Sequence, residues 1–179
     1  MGCGERTLLR RFLFGFLIGV VTVPLAGYAY FAFGFAPVAT AAPDMPFEKM
    51  LAKKALHARL EKEMPKDVPL PWDEANFTAG AQIYIQHCAV CHGLPGQPQT
   101  AIARGMYPKP PELFKGKGVT DDPPGATYWR VANGIRLTGM PGFQQSLSQT
   151  QMWQVSVLLA NAGSLPQNVK NTLAAARIP

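Results

Sequence analysis

Cysteine is scarce in this sequence: Cys3, Cys88 and Cys91 are the only three in 179 residues. An odd, small set excludes a disulfide scaffold. Histidine is equally rare, at His57, His87 and His92, and a closed zinc site with its four ligands has too few candidates near Cys88 and Cys91. No dense positive stripe is present either. Before Asp73 nine Lys and Arg face six acids, and from Asp73 onward eight face five. Two mild positive excesses of this kind exclude the concentrated basic surface that nucleic acid requires. Paired carboxylates, a nucleophile beside a base and a glycine-rich phosphate loop are all missing around the motifs described below, and with them the usual means of catalysis by the chain itself. There is no internal repeat, and no βαβ pattern of the kind that surrounds a thioredoxin-like CxxC.

The longest absence of charge is itself a feature. Residues 12–43 carry no formal charge, and residues 12–36 are almost wholly apolar, about the length that crosses a ~30 Å hydrocarbon core as a helix. Arg6, Arg10 and Arg11 abut its start, as in an export signal or a signal anchor. The run exceeds the ~7 to 15 residues of a signal-peptide core, so a retained anchor is expected; a long signal cut near Ala39-Thr40-Ala41 is the alternative. Tyr28, Tyr30, Phe31, Phe33 and Phe35 crowd its far end, as aromatic side chains do at a membrane interface.

Residues 44–64 read as an amphipathic helix, with Asp44 as N-cap, Pro46 in the first turn and Phe47, Leu51, Ala55 and Ala58 at helical spacing. It is expected to be a solvated spacer; the rival is a helix lying on the membrane or on a partner subunit. Two prolines stiffen residues 66–72. The chain then divides as follows: a head at 1–11, the anchor at 12–36, spacer helix and linker at 37–72, a folded domain at 73–165 and a C-terminal extension at 166–179. Within the domain Phe77, Ala81, Tyr84 and Cys88 share a helical face beside Gly80, a residue that permits close approach of another helix. Ser148 and Gln151 form a capping box, opening an apolar helix with Trp153, Val157 and Ala160 on one face and Gly163 as its stop.

In CAVCH, Cys88 and Cys91 lie one helical turn apart with His92 next in line. Two thiols at that spacing can be joined to the vinyl groups of one haem as thioethers, and the adjacent imidazole can ligate its iron. A sixth ligand must come from across the ring. TGMPGF offers Met140 between Gly139 and Pro141, and the proline restricts the methionine backbone to extended conformations. Met106, 14 residues after His92, is the competing sulfur and is expected to pack beside the haem instead. Arg104, Lys109 and Trp129 are candidates to reach a propionate. His87 and His57 are not expected to ligate.

These residues carry a resemblance. Gly80, Tyr84, CAVCHG, YPKPPEL, YWRVANGI, TGMPGF and the Trp153 helix together resemble the class I cytochromes c over about residues 77–162. The resemblance implies an all-α fold wrapped around one covalently bound haem c, preceded here by a transmembrane helix and a charged spacer helix. It implies Cys88 and Cys91 as attachment sites and His92 and Met140 as iron ligands. It further implies that the haem domain lies on the periplasmic side of a bacterial cytoplasmic membrane, because haem is attached there. The expected role is single-electron transfer between redox proteins, without catalysis by the chain. The alternative is a haem subunit inside a respiratory or dehydrogenase complex, and a gas sensor is less expected.

Overall fold

The computed structural model describes residues 3–115 and 122–178, with side chains from residue 8 onward. Lys117 and Asp121, two of the charges between the CxxCH motif and Met140, lie outside the described residues. Every regular element among them is a helix: α1 (Cys3–Ala32), α2 (Glu48–Glu63), α3 (Glu74–His87), α4 (Ala89–His92), α5 (Ala101–Gly105), α6 (Pro124–Asn133), α7 (Gln149–Ala160) and α8 (Gln167–Ala175). They fall into two compact units, Met1–Glu48 and Lys49–Pro179.

The first unit is dominated by α1. Its stretch Leu8–Ala32 reaches a mean hydropathy of 2.0 and buries none of it inside the protein. Twenty-five residues at ~1.5 Å each exceed the ~30 Å bilayer core. Pro24 sits inside the helix, and the nearby Thr22 hydroxyl donates to the Ile18 carbonyl at 2.9 Å.

The second unit is built on α3 and α7. Gly80 faces the Gln154 carbonyl so closely that a Cβ would overlap it, so the two backbones meet where α3 has its one glycine. Phe77, Ala81 and Tyr84 of α3 form one buried core with Met152, Val155, Val157, Leu158 and Leu159 of α7. The α7 helix is thus enclosed on nearly all sides, more fully than a single face of Trp153, Val157 and Ala160 implies. Both N-termini are capped. Asp73 accepts from the Asn76 amide at 2.9 Å, and Ser148 and Gln151 satisfy each other's backbone amides at 3.2 and 2.8 Å. On one flank α6 stacks Tyr128 on Trp153, ring centroids 4.3 Å apart.

Two segments outside residues 73–165 contribute to this unit. In α8, Val169 and Leu173 are buried, and Asn168 donates to Glu74 of α3 at 2.6 Å. The α2 helix begins at Glu48 rather than at Asp44: the Glu48 carboxylate turns back to accept from the Met45 amide at 2.9 Å. Its residue Leu60 is buried, Glu63 accepts from the Trp129 indole N–H at 3.1 Å, and Lys49 lies 5.8 Å from the Tyr107 ring centroid. The linker continues the contact, since a Cβ on Gly125 of α6 would overlap the Pro65 carbonyl. Leu51, Ala55 and Ala58, the face picked out by apolar spacing, are exposed.

Candidate functional site

The α3 helix ends where its chemistry begins. Cys88 closes it, donating its amide to the Tyr84 carbonyl at 2.9 Å, and a fresh turn starts at once, with the amides of Cys91 and His92 both bonded to the Cys88 carbonyl at 3.1 and 2.9 Å. Gly93 then breaks that turn at φ 76, a conformation open to glycine at little cost. Tyr84 locks the corner from below: its buried hydroxyl donates to the Gly93 carbonyl at 2.7 Å, and Phe114 packs edge-on against its ring. Burial raises the Tyr84 phenol well above its ordinary value, with the Cys88 thiol adding to the shift. The Cys88 thiol is pushed up to about 12 by burial and then by Cys91.

His92 is oriented from outside α4. Its Nδ1 lies 2.8 Å from the Pro111 carbonyl, and because a carbonyl only accepts, Nδ1 carries the proton and Nε2 keeps its lone pair. Burial lowers the His92 pKa, opposed in part by the Pro111 bond. The net lowering and the fixed tautomer together suit a neutral imidazole able to bind a metal.

A second segment, the loop of residues 134–143, folds back on the end of α6. Ile135 donates to the Met140 carbonyl at 3.2 Å, Phe143 to Val131 at 2.9 Å and Gln144 to Ala132 at 3.3 Å. Two glycines make this closure possible. A Cβ on Gly134, at φ 67, would stand 2.6 Å from the Gly142 nitrogen, and one on Gly142 would stand 2.8 Å from the Ala132 carbonyl oxygen. The Thr138 hydroxyl accepts from the Met140 amide at 3.1 Å and donates to Ile135 at 2.7 Å. Leu137 is held at φ 61 and is 93 % exposed, a strained placement for a leucine that the surrounding bonds must enforce.

Between the motif and this loop lies a cavity of about 410 Å³, within the usual range for a ligand site. Cys88, Cys91, His92 and Met140 all line it. Val131, Ile135, Phe143, Val155 and Leu159 supply apolar wall, and Pro108, Pro110 and Pro111 cover a side. This lining fits a haem: two thiols and a neutral imidazole from one segment, a soft thioether from another, and apolar surface around them. A zinc reading lacks support, since among the described residues no three of His, Cys, Asp and Glu stand together.

Several expectations are refined. Lys109 lines the cavity, but Trp129 is engaged by Glu63 and Arg104 donates to the Gln99 carbonyl. Arg130 lines it instead, paired with Asp122 at 2.8 Å; nothing in the local sequence distinguishes it from a solvated arginine. Met106 lines the same cavity as Met140. His87 lies on the cavity wall, its ring 6.0 Å from that of Phe143.

Residues 75–159 match the family model described as cytochrome c oxidase, cbb3-type, subunit III. No curated protein matches the chain. Among solved structures, a reducing HAO-like protein complex of Kuenenia stuttgartiensis aligns at 26 % identity and a TM-score of 0.48, over 56 % of this chain and 49 % of that one. The chain therefore spans about half the length of that structure.

Proposed function

From the premise that this is a monohaem c-type cytochrome, with the class I fold and a covalently attached haem c, we propose that it is an electron carrier tethered to the cytoplasmic membrane by α1, with its haem domain on the periplasmic side. One observation carries the reading: Cys88, Cys91, His92 and Met140, drawn from two segments far apart in the chain, line one cavity. When bound, the haem supplies a one-electron couple at its iron, and no substrate bond is made or broken.

The residues act by holding. Cys88 and Cys91 would fix the macrocycle to the end of α3, and the Pro111 carbonyl, by holding Nδ1 of His92, leaves Nε2 free to bind the iron. Met140, on a loop cinched to α6, would supply the second iron ligand. A thioether favours the ferrous state and raises the potential. Apolar walls and three prolines exclude water from the centre, while Lys109, Lys115 and Arg130 place positive charge at its margin. Donor and acceptor are redox proteins that approach this margin.

A second reading is favoured by the family description, which names a subunit of an oxidase: the domain would then be the electron-transfer subunit of a membrane complex. Extraction in mild detergent separates the two, because a free carrier comes out alone.

The ligand assignment is tested by Met140→Ala. The variant is expected to keep its covalent haem, lose the weak red absorption of ferric iron bound to thioether, lower the potential and open the iron to carbon monoxide. A Met140→Ala protein with the red absorption intact would move the ligand elsewhere, with Met106 the first candidate.

A further inference from the structure

The loop that carries Met140 is held by more than the hydrogen bonds described above. They tie Phe143 and Gln144 to the end of α6, Ile135 to the Met140 carbonyl and the Met140 amide to the Thr138 hydroxyl. None of them uses a donor or acceptor of Gly139, the residue immediately before Met140. Gly139 instead meets a side chain that lines the same cavity. A Cβ built on it would overlap the Met106 Cε and lie 3.5 Å from the Met106 Sδ.

Met106 comes from the segment after α5, whose amide is fixed to the Ala103 carbonyl at 3.4 Å. It is half-buried, and Ala103 beneath it is fully buried. Its thioether thus reaches from a seated backbone across to the bare Cα of Gly139. The absence of a side chain at Gly139 is what makes room for it.

We propose that Met106 is a positioning residue for Met140: by filling the space beside Gly139 it supports the ligand loop at the residue before the ligand and keeps the Met140 thioether in place to bind the iron. The proposal rests on Met140 being the sixth ligand. It assigns Met106 a role that neither core filler nor rival ligand describes. A filler would affect stability alone, and a ligand would carry the red absorption itself.

The contact can be tested as a cycle in the full-length haem-loaded protein, with Met106→Ala, Gly139→Ala and the two combined. Each is read by the ferric red absorption and by the affinity of the ferric protein for imidazole, which binds only when Met140 has left the iron. Apparent affinity scales with the population of the open form. Met106→Ala should raise imidazole affinity about three- to tenfold, the lower range for residues in direct contact. Gly139→Ala should also raise it, because the new methyl displaces the Met106 terminus. Combined, the methyl at 139 enters space that Met106 has vacated, so the effect should fall well short of the product of the two. Met106→Leu keeps bulk but loses reach and should lie between wild type and Met106→Ala, which also serves if the alanine variant does not mature.

Met140→Ala is measured alongside. If it leaves the red absorption unchanged, the ligand premise has failed and the proposal with it. If it abolishes the absorption while the changes at 106 and 139 multiply independently, the proposal alone is overturned. A lowered melting temperature in Met106→Ala with unaltered imidazole affinity also overturns it, since that is the signature of filler.

Discussion

Gly80→Ala places two physical effects in opposition, and their signs differ. Gly80 lies inside α3, where replacing glycine by alanine favours the helix by ~1 kcal/mol. Local propensity alone therefore predicts a more stable protein. The structure predicts the reverse, because the added Cβ would run into the Gln154 carbonyl and would stand 3.1 Å from the Leu158 Cβ. Neither obstacle is the free end of a flexible side chain. Both belong to α7, which is capped at Ser148 and enclosed along its length. Relief requires the two helices to move apart along the contact that buries Phe77, Ala81, Tyr84, Val157 and Leu158. Overpacking of a well-filled core costs about 1 to 3 kcal/mol, and more where backbone must move. With backbone displacement placing this site at the upper end of that range, a net loss of about 2 kcal/mol remains after the propensity gain. In a unit of this size that lowers the melting temperature by several degrees. The assay is thermal unfolding of the holoprotein by far-ultraviolet circular dichroism, beside Ala79→Gly as the propensity control at the neighbouring position. A Gly80→Ala protein that melts at or above the wild-type temperature would refute the close approach of α3 and α7.

Haem should survive denaturing electrophoresis of the wild type and be lost from the Cys88→Ala, Cys91→Ala double variant, as read by haem-dependent peroxidase stain; an unstained wild-type band would remove the covalent assignment. The full chain should fractionate with membranes, whereas a form beginning at Lys49 behind a cleavable export signal should be soluble and hold haem. Recovery of native protein cut near Ala41 in the soluble fraction would rule out the anchor. Electron exchange with a partner should slow as salt rises, since Lys109, Lys115 and Arg130 border the cavity and charges are screened beyond ~8 Å at physiological ionic strength; a rate indifferent to salt would exclude electrostatic steering. Here Glu112 and Asp122 already pair with Lys115 and Arg130, so Lys109 is expected to carry the largest share.

What was legible in the sequence was local. CAVCH specifies its own turn, Ser148 and Gln151 cap one helix within four residues, and Gly80 announces a close approach even before its partner is known. The α2 face was not legible in this way. Apolar spacing selects Leu51, Ala55 and Ala58, yet the helix docks through Lys49, Leu60 and Glu63, at intervals of 11 and 3 residues along one side. Its contacts are one buried leucine, a ring beneath an ammonium and an indole hydrogen bond. Two of these three are polar, and a hydrophobicity pattern does not record them. Arg130 and Asp122 were equally silent, because an ion pair eight residues apart leaves no periodic trace. Gly134 and Gly142 could have been read from the loop's glycine content, but only the fold shows that each faces backbone rather than open space.

The two sides of the cavity are joined by a chain of packed contacts. Met140 is held on a loop bonded to Val131 and Ala132 of α6; α6 is stacked on α7 through Tyr128 and Trp153; α7 is pressed to α3 at Gly80; and α3 leads directly into Cys88 and His92. The two proposed iron ligands are therefore separated by 48 residues of chain but joined through three helices in contact. A site that gains and loses one charge without making or breaking a bond benefits from such a circuit, because little around the iron has to rearrange between the two states. Rigid packing of this kind transmits displacement rather than absorbing it. The helix crossing at Gly80 thus belongs to the coordination geometry as well as to the stability of the fold.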